Sequence, residues 1–302
     1  MTQTTELSTC AVTGANGYVG RIIVQHLRDA GKRVICLQRT PGDADVRAWS
    51  LQDEPSTDMF ADVDVLIHCA YDFGSVGSAG IEKVNVHATL RWFDAAKAAG
   101  VRRIIFISSV SCYDDCKSLY GKAKLAVERR AADFDMVIVR PGLVYGPTPG
   151  GMVGSLTKIL NLPGPLLPMV GAGRFATVLV HEHDLGQSMV QLCGFNDVPA
   201  GKPIIAANDQ LMPFVDIMKT LARARGKKVI FVPVPWRLLW LPLRIAESVG
   251  VRARLRSDSL VGLVNQNPAP DFSITRQLGL SFRPFSPDAL DNFASSGNRG
   301  QR

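Results

Sequence analysis

At 302 residues, 46% hydrophobic and 20% charged, the chain can bury a substantial core and reads as globular: one large α/β domain, or a domain with an appended lobe. The net charge of +7 is unevenly placed, because Lys219 to Arg256 holds ten Lys and Arg residues against one acid, Glu247; such a patch suits an anionic ligand or surface, or a solvated helix face. The six cysteines (Cys10, Cys36, Cys69, Cys112, Cys116 and Cys193) are scattered and fall largely in apolar runs, which excludes a disulfide framework and fits reduced thiols in a cytoplasm.

Residues 1–9 are polar and include Glu6, so they lack the basic and apolar regions of a signal peptide. Cys10-Ala11-Val12 then opens a short buried strand, followed by Thr13-Gly14-Ala15-Asn16-Gly17-Tyr18-Val19-Gly20 and a helical pattern from Arg21 to Ala30. In a strand–turn–helix of this kind Gly14 takes the positive φ of the turn, Gly17 admits a pyrophosphate without a Cβ in the way, and Gly20 lets the helix pack on the strand. The helix N-terminus then presents free N–H groups to the phosphates.

Lys32 to Leu37 is a β-branched run that predicts the second parallel strand, ending at Gln38-Arg39, and Ala48 to Leu51 is a short strand candidate. Val63 to Ala70 predicts a fully buried strand, with Ala70 at its end. The spacing predicts a helix over Val84 to Ala99, a strand over Arg103 to Ser108, a helix over Leu119 to Phe134 and a strand over Met136 to Arg140. This alternation builds βαβ units and hence a doubly wound parallel sheet.

Beyond Pro141 glycine and proline crowd the chain, and the elements at Phe175–Val180, Pro203–Ala207, Phe214–Ala224, Val229–Val232 and Pro235–Val249 are shorter. They predict a smaller α/β substrate lobe over 148–294, closing on a nucleotide-binding domain of 7–147 with returning segments near 174–193, and a disordered tail over 295–302. Trp236 to Arg244 is apolar with interleaved arginines; it suits a membrane surface or the wall of an apolar pocket, and a buried lobe helix kinked at Pro242 is the plainer expectation. Arg252, Arg254 and Arg256 alternate as if on one side of an extended segment, where solvated arginines are expected before a phosphate clamp. No run of about 18 uncharged apolar residues exists to cross a membrane. Cys112 and Cys116 lack the second pair or nearby His that a metal site requires, and no interleaved aromatic and basic run beyond the patch points to nucleic acid.

The chemistry concentrates after the strand that ends at Ser108-Ser109. Eleven residues beyond Ser109 comes Tyr120-Gly121-Lys122-Ala123-Lys124, with Tyr and Lys on one helix face. A phenol with an ordinary pKa near 10 is a poor proton shuttle at neutral pH, and Lys124 is expected to stabilise its phenolate. With the glycine turn, the strand-end serine and this pair, the chain resembles the extended short-chain dehydrogenase/reductases over roughly residues 9–190. Asn85 in Val-Asn-Val-x-x-Thr, the run Arg140 to Pro147, and His181-x-x-Asp184-Leu185 also match.

The resemblance implies a Rossmann domain binding NAD(P), with NADP preferred because Gln38 and Arg39 stand where an acid would bond the ribose hydroxyls. It implies Tyr120 as general acid/base, Lys124 as its partner and Ser109, with Ser108 and Ser111 as substitutes, on the reacting oxygen. Cofactor contacts are implied from Gly14, Asn16, Gly17, Tyr18, Val19, Arg39, Leu51, Ala70, Tyr71, Ser108, Tyr120, Lys124, Pro141, Gly142 and Val144. Sugar-nucleotide epimerases of the family carry Asn and Arg where this chain has Leu143 and Thr177, and the dehydratases carry Asp-Glu where it has Val110-Ser111. The implied reaction is therefore hydride transfer between nicotinamide and a secondary alcohol or ketone, ahead of an epimerase or a non-catalytic NAD(P)-binding regulator; homodimers are common in the family.

Overall fold

Short aliphatic and β-branched runs pair into one all-parallel seven-stranded sheet in the computed structural model, which describes residues 9–75, 77–147, 150–195, 197–249 and 256–286. The first half runs β1 (Thr9–Thr13), α1 (Tyr18–Asp29), β2 (Arg33–Gln38), β3 (Val46–Ala48), β4 (Val65–His68), α2 (Gly77–Glu82), α3 (Ala88–Ala98), β5 (Arg103–Ile107), α4 (Leu119–Glu128), β6 (Val137–Pro141) and β7 (Leu143–Tyr145). It continues through α5 (Gly151–Leu160), β8 (Leu166–Val170), β9 (Ala176–Thr177), β10 (Leu179–His181), α6 (Glu182–Gly194), β11 (Ile204–Ala206), β12 (Met212–Pro213), α7 (Phe214–Arg223), β13 (Ile230–Val234), α8 (Trp236–Ser248), α9 (Ser257–Val264) and α10 (Ser273–Gln277).

The sheet order is β11-β6-β5-β4-β1-β2-β3. The chain moves outward from β1 to β3, then returns to lay β4 on the other side of β1, so the winding direction reverses between β1 and β4. In open α/β sheets ligands bind in the crevice outside the strands' carboxyl ends at such a reversal.

Strand side chains alternate between two cores. Cys10 and Val12 meet Ile23 and Leu27 of α1 and Leu185 and Met189 of α6, while Ala11 turns to the opposite face with Trp92 and Phe93 of α3. A third core, with Val153, Leu156, Leu167, Met169, Phe214, Ile217 and Leu221, holds the smaller lobe. The segment after α10 straps back: the backbone N–H and guanidinium of Arg283 donate to the buried Asp184, at 2.8 Å from the N–H.

Several expected boundaries shift. The third strand is Val46–Ala48 and not Ala48–Leu51, because Trp49 and Leu51 are drawn into the core. The helix expected from Val84 starts at Gly77 and passes through a π turn at Lys83–His87. The helix expected to reach Phe134 ends at Glu128, and a 3-10 turn at Ala131–Phe134 leads to Asp135 in the left-handed region, φ 48°. The seventh strand, Ile204–Ala206, lies outside the expected returning segment of 174–193, and pairs with β6 at the sheet edge. Arg252, Arg254 and the tail lie outside the described residues.

The end of α4 is anchored by a carboxylate. Arg140 on β6 donates its Nε to Glu128 Oε1 at 2.9 Å, and the two side chains are only 13% and 5% exposed. Glu128→Gln leaves a largely buried guanidinium without its counter-ion, so it is expected to lower the unfolding free energy by about 3 kcal/mol, read from urea midpoints.

Candidate active site

The first βα turn is built on close approach. Gly14 has φ +63°, and a Cβ there would stand 3.1 Å from the Ala70 Cα; one on Gly20 would stand 2.2 Å from the Gly14 carbonyl oxygen. Only glycine fits at both positions. Gly17 opens α1 without a side-chain cap and no acid sits in the first turn, so the leading N–H groups and the positive dipole end remain available to an anion. This cradle fits a dinucleotide pyrophosphate. Asn16 and Gly17 are exposed at its mouth. The Tyr18 side chain instead turns to the lobe: its hydroxyl donates to Glu182 Oε2 at 3.4 Å, and its ring occupies the space that Gly150 leaves.

A polar chain that the sequence did not reveal fixes the neighbouring edge. Thr13 Oγ1 accepts from Cys69 N at 3.1 Å and Ala70 N at 3.2 Å, and lies 3.0 Å from His68 Nδ1. His68 Nε2 lies 3.4 Å from Thr89 Oγ1, which donates to the Asn85 carbonyl. Thr13 O–H donating to Nδ1 and Nε2–H donating to Thr89 satisfy every group with one tautomer of a neutral imidazole. Burial, reinforced by the Lys124 ammonium, pushes His68 well below its ordinary pKa. Asn85 completes the link, its side-chain amide accepting from Asp72 N at 2.6 Å and donating to Asp72 O at 3.1 Å. The loop that carries Tyr71 and Phe73 is thereby fixed.

That loop roofs Tyr120. The Tyr71 ring meets the Tyr120 ring edge-on at 4.8 Å between centroids, and the exposed Phe73 stacks on it at 6.1 Å. The structure therefore connects Gly14, Ala70, Tyr71 and Tyr120 into one continuous wall. Ser109 acts to lower the pKa of the Tyr120 phenol. Ser108 is buried, and Ser111 donates its backbone N–H back to Ser109 Oγ at 3.1 Å.

The expected acidification of the phenol is corrected by burial. Desolvation outweighs the lowering influence of Ser109 and pushes Tyr120 up to about 12. Lys124, one turn along α4, is itself buried and pushed down to about 8, with its Nζ donating to the Ile107 carbonyl at 2.7 Å and lying 4.5 Å over the Phe106 ring.

The start of α4 is fixed from both halves of the molecule. Ser118 Oγ accepts from Gly121 N at 3.0 Å, and Asp258 on α9 accepts from Leu119 N at 2.7 Å and Tyr120 N at 3.0 Å. Nearby, Arg256 donates to the Phe73 carbonyl at 2.6 Å. Sequence reading missed Asp258 altogether.

The remaining residues named from the sequence divide. Arg39 is exposed just past β2, and Ala70 abuts the glycine turn. Pro141 ends β6, Gly142 leaves no room for a Cβ against the Val178 carbonyl, and Val144 pairs with Val180. Leu51 is committed to the core with Trp49 and Phe60, so its side chain is unavailable to a ligand.

A doubly wound sheet with a glycine turn at its reversal point defines a dinucleotide-binding class of protein. The chain belongs to the NAD dependent epimerase/dehydratase family, whose model matches residues 10–196. It is 31% identical over 195 residues to a ceramide reductase of Caulobacter vibrioides, covering 61% of this chain and 60% of that one. It is 30% identical over 150 residues to a UDP-glucose 4-epimerase of Streptomyces lividans, covering 39% and 44%. The chain thus spans less than two thirds of either relative's length. Its fold is similar to that of MoeE5, solved in complex with UDP-glucose and NAD, with a TM-score of 0.74 at 19% identity over 97% of this chain and 99% of that one.

Two expectations follow. Thr13→Val strips two backbone N–H groups and His68 of their partner, and is expected to cost about 2 kcal/mol in urea unfolding. Asp258→Ala removes the acceptor for the first donors of α4 and is expected to cost about 1 kcal/mol, with Asp258→Asn recovering part of it in the same titration.

Proposed function

We propose that this protein is an NADPH-dependent reductase that delivers hydride to the carbonyl carbon of a bulky, largely apolar ketone, with Tyr120 as the proton donor. The observation that carries the reading is the placing of Tyr120 under the Tyr71 and Phe73 rings, on the wall that runs from the glycine turn. The leading N–H groups of α1 would hold the pyrophosphate, and Arg39 would receive a 2′-phosphate. When bound, the dinucleotide supplies the hydride.

Ser109 orients the substrate oxygen and Tyr120 gives it a proton. A phenol held at about 12 keeps that proton through the neutral range, which suits an acid in reduction better than a base in alcohol oxidation. The phenolate left behind is stabilised by Lys124 while that residue remains an ammonium. The aromatic roof and the lobe over 148–294 select the substrate, and the ceramide reductase relative supports an apolar one. The epimerase reading is weaker: Leu143 replaces the family's Asn, and Thr177, in place of the Arg, directs its hydroxyl to Gln266 at 3.2 Å.

The test is oxidation of NADPH and NADH against a panel of long-chain and cyclic ketones. Turnover with NADPH is expected, with Tyr120→Phe lowering kcat by about 100-fold or more while NADPH binding is retained. Tighter binding of NADH than NADPH would remove the cofactor choice, and unchanged turnover in Tyr120→Phe would remove the acid. Because Lys124 ionises at about 8 and only its protonated form supports the phenolate, kcat/KM for reduction is expected to be level below that pH and to fall above it.

A further inference from the structure

We infer that α8 is an interfacial helix that docks this protein on an anionic lipid bilayer. The expectation of a buried lobe helix is overturned, because none of the described side chains of α8 is buried. Leu238, Leu241, Ile245 and, at the helix end, Val249 are 64%, 52%, 56% and 71% exposed. Their spacing of three, four and four residues places them in one stripe along the outer face, with the exposed Pro242 beside them. The stripe does not stand alone. The ribbon leading into α8 through Pro235 exposes Ile230 and Val232 on β13 and, directly across from Ile230, Leu166 on β8.

Charge selects the occupant. Between Lys219 and Val249 there are seven Lys and Arg residues and one acid, Glu247. That acid accepts from Ser257 N at 2.8 Å and from Ser257 Oγ at 2.6 Å, and its Oε2 lies 4.0 Å from Arg244 Nη1, a partner that an anionic headgroup would compete with. Arg237 and Arg244 are exposed and, seven residues apart, flank the stripe on the same side. Arg237 also lies over the Trp236 ring at 5.7 Å. An apolar stripe bordered by arginines matches the boundary between acyl chains and anionic headgroups. A second copy fits worse: a twofold pairing of this face would bring its arginines towards one another.

The position ties docking to the reaction centre without depending on the reaction assigned to it. Ser257, held by Glu247 of α8, precedes Asp258, which receives the first N–H groups of the Tyr120 helix. The helix proposed to meet the bilayer is therefore bonded to the element that caps the Tyr120 helix.

The test is co-sedimentation of the full chain with vesicles of phosphatidylcholine alone and of phosphatidylcholine with phosphatidylglycerol, with no turnover required. Binding is expected to the second and not the first, and to weaken with salt. Arg237→Gln/Arg244→Gln is expected to bind more than about tenfold less tightly. Leu238→Glu/Ile245→Glu is expected to lose binding while keeping the wild-type urea midpoint and NADPH affinity. Absence of binding to phosphatidylglycerol vesicles, equal binding to neutral ones, or a dimer in sedimentation velocity that Leu238→Glu/Ile245→Glu dissolves would overturn the proposal.

Discussion

The molecule depends on how tightly its first turn is packed. With 2.2 Å between the Gly14 carbonyl oxygen and the place where a Gly20 Cβ would sit, β1 and α1 touch backbone to backbone. Gly14 in turn lies against Ala70, and Thr13 ties that edge to β4 through two backbone N–H groups. A methyl group at any of these contacts would push apart the two strands whose divergence makes the crevice. The sheet's other contacts, apolar and alternating between two faces, tolerate far more variation in shape.

Around that turn the site is assembled by contacts of increasing reach. Asn85 grips the backbone of Asp72 from a π turn thirteen positions later. Arg256 and Asp258 then reach in from the smaller lobe, one to the loop bearing Phe73 and the other to the start of α4. Tyr120 is thus held between the sheet and the lobe, while the far end of its helix is anchored by the Glu128–Arg140 pair.

What could be read from the chain was what is local in it. The glycine turn, the strand runs and the Tyr120–Lys124 spacing each carry their geometry within a few residues. Asp258 could not be found this way, because nothing near it in sequence marks it as a cap for a helix 138 residues earlier. His68 reads as one polar interruption in an apolar run, and only the pairing of β1 with β4 shows that Thr13 faces it. The phenol was assigned the wrong direction of shift for a related reason: spacing shows which charge is near, but not how much water has been removed. The same limit applied to α8, where residues apolar on nearly every side gave no sign of which neighbours the fold would supply.

The cap on α4 also orders the birth of the protein. A chain leaving the ribosome from its N-terminus completes the strands and turn of the nucleotide crevice before α9 has been made. Until then the Tyr120 helix begins with two backbone donors open to water, and a long loop must close before Asp258 reaches them. The glycine turn and the strands around it are therefore complete before the start of the Tyr120 helix can be capped.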